Sequence, residues 1–288
     1  IAEHDYRVRL LRLTQRMGKA AGVDRGVSVA TGEVVVFADA RQEFEPGTVA
    51  ALLSHFADPK VGVVAGELRF RRHKRGGYVT KSLGFYWRYE TWIRQSEATY
   101  DSVIGCSGAV YAARRALIGP VPPGLILDDM WIPLHAIMAG SRVTYEPRAV
   151  AWDIVQESAN GEFQRKVRTL AGNFQLVVLV PALLLPWRHR LWWSFVSHKL
   201  FRLFVPYALV GLLISSLLEE GFIYRGALFA QLMFYGLGIV GFITTKGDKH
   251  GWKCRVCTFV HVFVVLNAAA VAGAIAYFTG RYRHLWVR

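Results

Sequence analysis

Two adjacent carboxylates, Asp128 and Asp129, follow the apolar run Leu125-Ile126-Leu127 and open a helical pattern that closes at Gly140. An acid pair there can do general base chemistry. A helix N-terminus favours negative charge, and a carboxylate must be ionised to accept a proton. The same residues also suit a structural part, with Asp128 as N-cap and Asp129 as a first-turn acid. A third acid, Asp39, ends the continuous apolar run Val34-Val35-Val36-Phe37-Ala38. Such a run suits a parallel strand covered on both faces, and in open α/β sheets ligands bind beyond the carboxyl ends of strands. Asp39 is therefore placed where a ligand or metal is expected. Gly105-Cys106-Ser107-Gly108 is a small-residue segment that another backbone or a ligand can approach closely.

These groups need a frame. Residues 8–13 alternate apolar and basic and read as a strand. Residues 18–29 read as a helix carrying Lys19 and Asp24, and Pro46 opens another over 47–56. Residues 61–70 read as a strand. Residues 71–77 form a basic, glycine-tailed loop that can touch phosphates or stand in solvent. An aromatic-rich helix over 81–100 puts Phe85, Tyr89 and Trp92 on one face, with core packing the default and contact with a bilayer interface or a sugar the alternatives. Short strands at 142–145 and 149–152 flank Pro147, and 164–175 is a basic helix. This βαβα alternation, with two acidic strand ends, predicts an α/β nucleotide-binding domain.

Composition divides the chain. It is 53% hydrophobic with a mean hydropathy of +0.25, yet 19% charged. That is too apolar for an ordinary soluble enzyme and too charged to be all membrane. The apolar excess lies late, which predicts a globular domain over residues 1–170 and a membrane region over 171–288. In the latter, 176–185 is short for a span and 187–204 is amphipathic and suits the interface. Residues 205–218, 227–245 and 258–278 read as spans, giving about three to four in all. The net charge is +14. Its clusters, at 188–190, 246–255 and 281–288, sit beside the apolar runs, which fits anionic lipid and a phosphate-bearing substrate rather than nucleic acid. Cys106, Cys254 and Cys257 are too few for a disulfide framework. The Cys254-x-x-Cys257 pair lacks partner ligands and reads as incidental, with zinc or redox roles the alternative.

In order along the chain, Gly18-Lys19-Ala20-Ala21-Gly22, the segment Gly32 to Arg41, residues 105–115, Leu127-Asp128-Asp129 and Arg165-Lys166-Val167-Arg168 resemble the motifs of the family 2 glycosyltransferases. These are the membrane enzymes related to cellulose, hyaluronan and poly-N-acetylglucosamine synthases. An ordered set is more specific than any single motif. The resemblance implies a GT-A, Rossmann-like nucleotide-sugar domain using Mg²⁺ or Mn²⁺ and inverting at the anomeric carbon. By it Asp129 matches the last acid of the TED or GDD motif, the general base, with Asp128 beside it on the acceptor side. Asp39 matches the first acid of the DxD metal motif, and Lys19 a basic residue near the nucleotide. Arg168 matches the Arg of the QxxRW motif, which faces the pyrophosphate, with Arg165 on the same donor side. Ser107 and Gly108 match the small segment beside the acceptor sugar. Read without the resemblance, Lys19 and Arg168 also suit solvated helix cations, and Ser107 and Gly108 suit tight packing.

Three departures matter. The second DxD acid is Arg41, a cation that cannot ligate a metal. The Gln and Trp of QxxRW are Arg165 and Thr169. The family's opening strands are absent, the chain starts at Ile1, and the domain is expected to be N-terminally incomplete. The expected function is inverting transfer of a sugar from a nucleotide-sugar donor, UDP-type, to a glycan or lipid-linked acceptor. The protein is expected to be a multi-pass membrane protein with its catalytic domain cytoplasmic. The alternatives are a single-sugar transferase acting on a polyprenyl phosphate or glycolipid, and an inactive relative serving as a membrane scaffold. A channel would need buried charges or broken helices in its spans.

Overall fold

The computed structural model describes residues 5–15, 17–71, 78–154, 159–246 and 255–282, without the side chains of 78–87, 159–160, 244–246 and 255. Two units compose it. One contains Ile1–Arg69, Arg94–Asp153 and Arg281–Arg288; the other contains Phe70–Ile93 and Ile154–Gly280.

The first unit is built on a sheet of β1 (Val34–Ala38), β2 (Glu43–Phe44), β3 (Val61–Arg71), β4 (Val110–Arg114) and β5 (Arg142–Ile154), in the order β1-β4-β3-β5-β2. Helices α1 (Gly18–Val29), α2 (Thr48–Ser54) and α4 (Asp128–Met138) belong to it, as does the end of α3 (Tyr78–Tyr100). Strand β4 explains why the sheet is covered on both faces. Val110 and Ala112 join Leu52, Val61, Val64, Ala149 and Ala151 in one core. The alternate residue Tyr111 turns to the other face and stacks on Phe37, centroids 4.3 Å apart. Both sets are buried, as period-two alternation in an interior strand requires. Gly66 makes the β3–β5 approach: a methyl there would lie 2.6 Å from the Ala149 carbonyl oxygen and 2.8 Å from Val110 Cγ2.

Several expectations need correction. Residues 8–13 form no strand; they are exposed and have no ladder partner, so alternation alone was not enough. Strand β1 is not a parallel strand buried on both faces. It lies at an edge of the sheet, half-buried, and pairs antiparallel with β4 from Val34↔Arg114 to Ala38↔Val110. The two short strands around Pro147 are one strand, β5. Pro46 precedes a shorter helix than expected: α2 starts at Thr48 after Gly47, which takes φ 86°, and a 3₁₀ turn at His55–Ala57 follows it. Tyr89 and Trp92 are 50% and 62% exposed, so they are not core. Residues 72–77 of the basic loop, Cys254 and residues 247–254 of the basic link lie outside the described residues.

The second unit holds α5 (Ala159–Leu179) and then α6 (Trp192–Phe195), a π-helical turn Val196–Leu200 and α7 (Phe201–Leu218), followed by α8 (Phe222–Lys246) and α9 (Arg255–Phe278). Among the described residues three helices are long and apolar enough to cross a membrane: Trp192–Leu218, Phe222–Ile243 and Val256–Phe278. The segment expected to lie in the interface is therefore continuous with a candidate span. Its basic residues are matched by an acid: buried Glu90 of α3 accepts a hydrogen bond from Arg202 Nη2 at 3.0 Å and lies 3.4 Å from His198 Nε2.

Small residues bring α5 and α9 together. A methyl on Gly273 would lie 3.0 Å from Leu170 Cβ and 3.1 Å from the Val167 carbonyl oxygen, and Ala269, Ala270 and Ala274 are buried nearby in sequence. Close backbone approach through small residues is how apolar helices associate in lipid. Phe174 also packs on Tyr277 and Phe278, at 6.2 and 5.8 Å. The helix bearing Arg165 and Arg168 is thus packed on a candidate span.

Gly66→Ala is expected to lower the melting temperature of the purified full chain, because its new methyl meets a strand backbone that cannot rotate away. Overpacking of this kind costs about 1–3 kcal/mol. An unchanged melting temperature would show that β3 and β5 lie further apart.

Candidate active site

The site forms where the starts of α1 and α4 meet the loop before β4. Lys19 is the second residue of α1, in a first turn whose dipole disfavours a cation. Its ammonium is held there by acids: Nζ lies 3.1 Å from Asp39 Oδ1 and 3.3 Å from Asp128 Oδ2. Asp39 follows β1 directly, so the strand end delivers it as expected. Asp24 secures α1 by accepting the Val121 N–H at 3.1 Å, tying the helix to the segment that leads into α4.

Asp128 and Asp129 begin α4, which has no side-chain N-cap. Asp128 is not the N-cap expected from the sequence: Leu127 holds that position, and Asp128, the first helical residue, is buried and faces Lys19. Asp129 is gripped twice by the small-residue loop. Its carbonyl accepts the Cys106 N–H at 2.9 Å, and its Oδ2 accepts the Gly108 N–H at 3.2 Å. The first bond depends on Pro133. A residue four positions on would normally donate its N–H to the Asp129 carbonyl, but proline has none, which leaves that oxygen for the loop. The loop needs its glycines for the same contact. A methyl on Gly108 would lie 2.8 Å from Lys19 Nζ and 3.3 Å from Asp129 Oδ2, and one on Gly105 would lie 2.9 Å from Met130 Cγ. Ser107, buried, is bridged to Val110 as the chain enters β4.

The electrostatics follow from burial and neighbours. Burial pushes the Asp129 carboxyl up, and the Asp128 charge adds to it, reaching about 6 against an ordinary 3.8. Asp128 is also raised, by burial first, with Lys19 working against the shift. Burial pulls the Lys19 ammonium down, but the charges of Asp128, Asp129 and Asp39 together outweigh it and raise it. An acid that titrates near neutrality, next to an ion pair, can take a proton from a hydroxyl and return it to solvent.

Asp39, Lys19, Asp128, Asp129, Ser107 and Gly108 thus come together. Arg165 and Arg168 belong to α5 in the other unit, where Arg165 Nη1 lies 3.5 Å from Glu162 Oε2. Arg41 turns to Asp153, with Nη2 3.1 Å from Oδ2, and Gln42 Nε2 donates to the same oxygen at 2.9 Å. Thr169 Oγ1 donates back to the Arg165 carbonyl at 3.0 Å. Two contributors had no sequence signal. Arg94, inside the aromatic helix, is close enough for its charge to favour the ionised form of Asp129. Tyr111 is fully buried, its hydroxyl has no hydrogen-bond partner among the described residues, and its phenol is raised by burial and then by Asp128. Only the register of β4 reveals that it faces the acids.

Comparison with known proteins agrees with this architecture. Residues 1–118 match the family model described as glycosyl transferase family 2. The poly-beta-1,6-N-acetyl-D-glucosamine synthase of Staphylococcus aureus (strain COL) is 24% identical over 170 residues, 58% of this chain and 41% of the relative. Its Staphylococcus epidermidis counterpart is 22% identical over 206 residues, 70% of this chain and 47% of the relative. The chain therefore spans less than half the length of these relatives. Among solved structures, the mannosyltransferase PcManGT from Pyrobaculum calidifontis, in complex with GDP-Man and Mn²⁺, aligns with a TM-score of 0.65 at 20% identity. That alignment covers 94% of this chain and 69% of the other, and it shows a shared GT-A fold.

Lys19→Met is expected to destabilise the protein most at alkaline pH. Both acids bind protons more tightly folded than unfolded, so their raised values favour the folded state at low pH. For Asp129 that advantage is lost as pH rises from 3.8 to about 6. Removing the cation deepens the penalty, by about 3–5 kcal/mol for a buried acid left without its partner. The melting temperature should drop more at pH 8 than at pH 5. An equal drop at both would mean that Lys19 contributes packing rather than charge.

Proposed function

We propose that this chain is a family 2 glycosyltransferase related to the poly-N-acetylglucosamine synthases, a reading supported by the match of residues 1–118 and by the shared GT-A fold, and that it performs an inverting sugar transfer from a nucleotide-sugar donor, UDP-type, to a hydroxyl of a glycan or lipid-linked acceptor. The observation that carries the proposal is the Asp129 carboxylate, fixed by the Gly108 N–H at 3.2 Å and raised to about 6. The acceptor O–H gives its proton to Asp129. Its oxygen forms the new bond at the anomeric carbon from the face opposite the leaving group. The bond to the nucleoside diphosphate breaks and carries its electron pair away with the diphosphate, which is why the configuration inverts. Asp128, held by Lys19, keeps Asp129 proton-hungry at neutral pH. Ser107 and Gly108 line the acceptor side. Lys19 serves the donor diphosphate, since positive charge on the leaving oxygen stabilises the transition state.

The resemblance also implies a divalent metal on Asp39. The donor set does not suit one. Asp39 Oδ1 is paired with Lys19 at 3.1 Å, and the position two residues on is a guanidinium committed to Asp153. Among the described residues no group of three His, Cys, Asp or Glu is placed to hold a metal ion. No step above passes through a metal. In this reading residues 1–170 are the catalytic domain, on the cytoplasmic side, and 171–288 the membrane region. The packing of α5 on α9 supports a donor-side helix anchored in the bilayer.

The test is release of nucleoside diphosphate by the full-length protein in membranes, over a panel of UDP- and GDP-sugars. One donor should be turned over, and Asp129→Asn should lower turnover by about 10²–10⁴-fold, the range for loss of a general base. Turnover that survives Asp129→Asn would remove Asp129 as the base. An absence of turnover across the panel would favour the scaffold reading that Arg41 and Thr169 motivate.

A further inference from the structure

We propose that the Lys19 ammonium is this chain's built-in cation at the donor diphosphate, so that diphosphate binding and transfer need no divalent metal. The inference rests on the transferase reading above and goes beyond it.

The position between the acids is filled. Lys19 Nζ lies 3.1 Å from Asp39 and 3.3 Å from Asp128, and Gly108 closes over it so tightly that a methyl there would come within 2.8 Å of the nitrogen. A metal bound to Asp39 would have to expel a cation that two carboxylates hold. Arg41 raises the barrier further. A second positive charge stands two residues from Asp39, secured on Asp153 by the 3.1 Å ion pair, with Gln42 bonded to the same oxygen. Opposite charge at that position would recruit a cation, and like charge repels one. The chemistry that remains suits a phosphate. An ammonium is a compact charge with three N–H donors. The Lys19 ammonium is ion-paired with Asp39 and Asp128, and its side chain is still 30% exposed, which leaves it open to a phosphate oxygen. The two carboxylates also hold the charge in place, so little reorganisation is needed when the leaving group departs.

The experiment is calorimetric titration of the full-length protein with UDP and with GDP, in EDTA and again in Mn²⁺, alongside donor turnover in the same two buffers. Binding of one nucleotide should agree between buffers to within about twofold, and turnover likewise. Lys19→Met should weaken that binding in EDTA by about tenfold or more, with Lys19→Arg recovering part of it. If Lys19→Met does not fold, the wild-type comparison still decides. Tightening by Mn²⁺ of about tenfold or more in the wild type, or turnover abolished by EDTA, overturns the inference and leaves the transferase reading standing. If neither nucleotide binds and no donor turns over in either buffer, the transferase reading itself fails, and the inference with it.

Discussion

The Lys19 ammonium lies 3.1 Å from Asp39 and 3.3 Å from Asp128, and the charge states of the surrounding acids depend on it. Three carboxylates gathered without a cation would repel one another, and burial would drive them to their neutral forms. With Lys19 in place, Asp128 can stay charged although it is buried, and its charge helps to hold Asp129 near 6. The cost falls on α1, whose first turn carries a cation against the helix dipole. Asp24, bonded to Val121, helps to keep that helix where the ammonium is needed.

The second constraint is backbone geometry around Asp129. Pro133 withholds an N–H from inside α4, and the freed Asp129 carbonyl takes the Cys106 N–H instead. The Gly108 N–H then meets the carboxylate. That loop is itself anchored, with the Val103 N–H on the Val143 carbonyl and the Ile104 N–H on Glu97. The acid is therefore oriented by main chain on one side and by charge on the other. Such fixed geometry is what a general base needs, because proton transfer demands hydrogen-bond reach.

Much of this was legible in the sequence. The acid after β1, the acid pair opening α4 and the glycine at the end of that helix are local signals, and Gly140 takes φ 87° as a helix terminator would. The glycines at 105 and 108 announced a close approach, though not which atoms approach. What stayed hidden is long-range. Whether β1 lies at an edge depends on strands far along the chain, and the apolar run Val34–Ala38 reads the same either way. Arg94 and Tyr111 reach the acids through tertiary placement, with no motif around them. The fate of Arg41 could not be read either, because its partner Asp153 lies at the far end of β5. In the second unit the amphipathic stretch and the following span were separated by their composition. The helix runs through both, and Glu90 of α3 pairs with its Arg202 and lies beside its His198, two of the residues that made the stretch look interfacial.

The most direct test of the account is the pH dependence of kcat/KM for the donor that is turned over, measured on the full-length wild type and on Lys19→Met. The account predicts an acidic limb with an apparent value near 6 in the wild type, because Asp129 must be ionised to act. The limb should move to higher pH in Lys19→Met, since the ammonium favours the ionised acid. A limb at the ordinary carboxylate value of 3.8, or one that does not move when Lys19 is replaced, would contradict it.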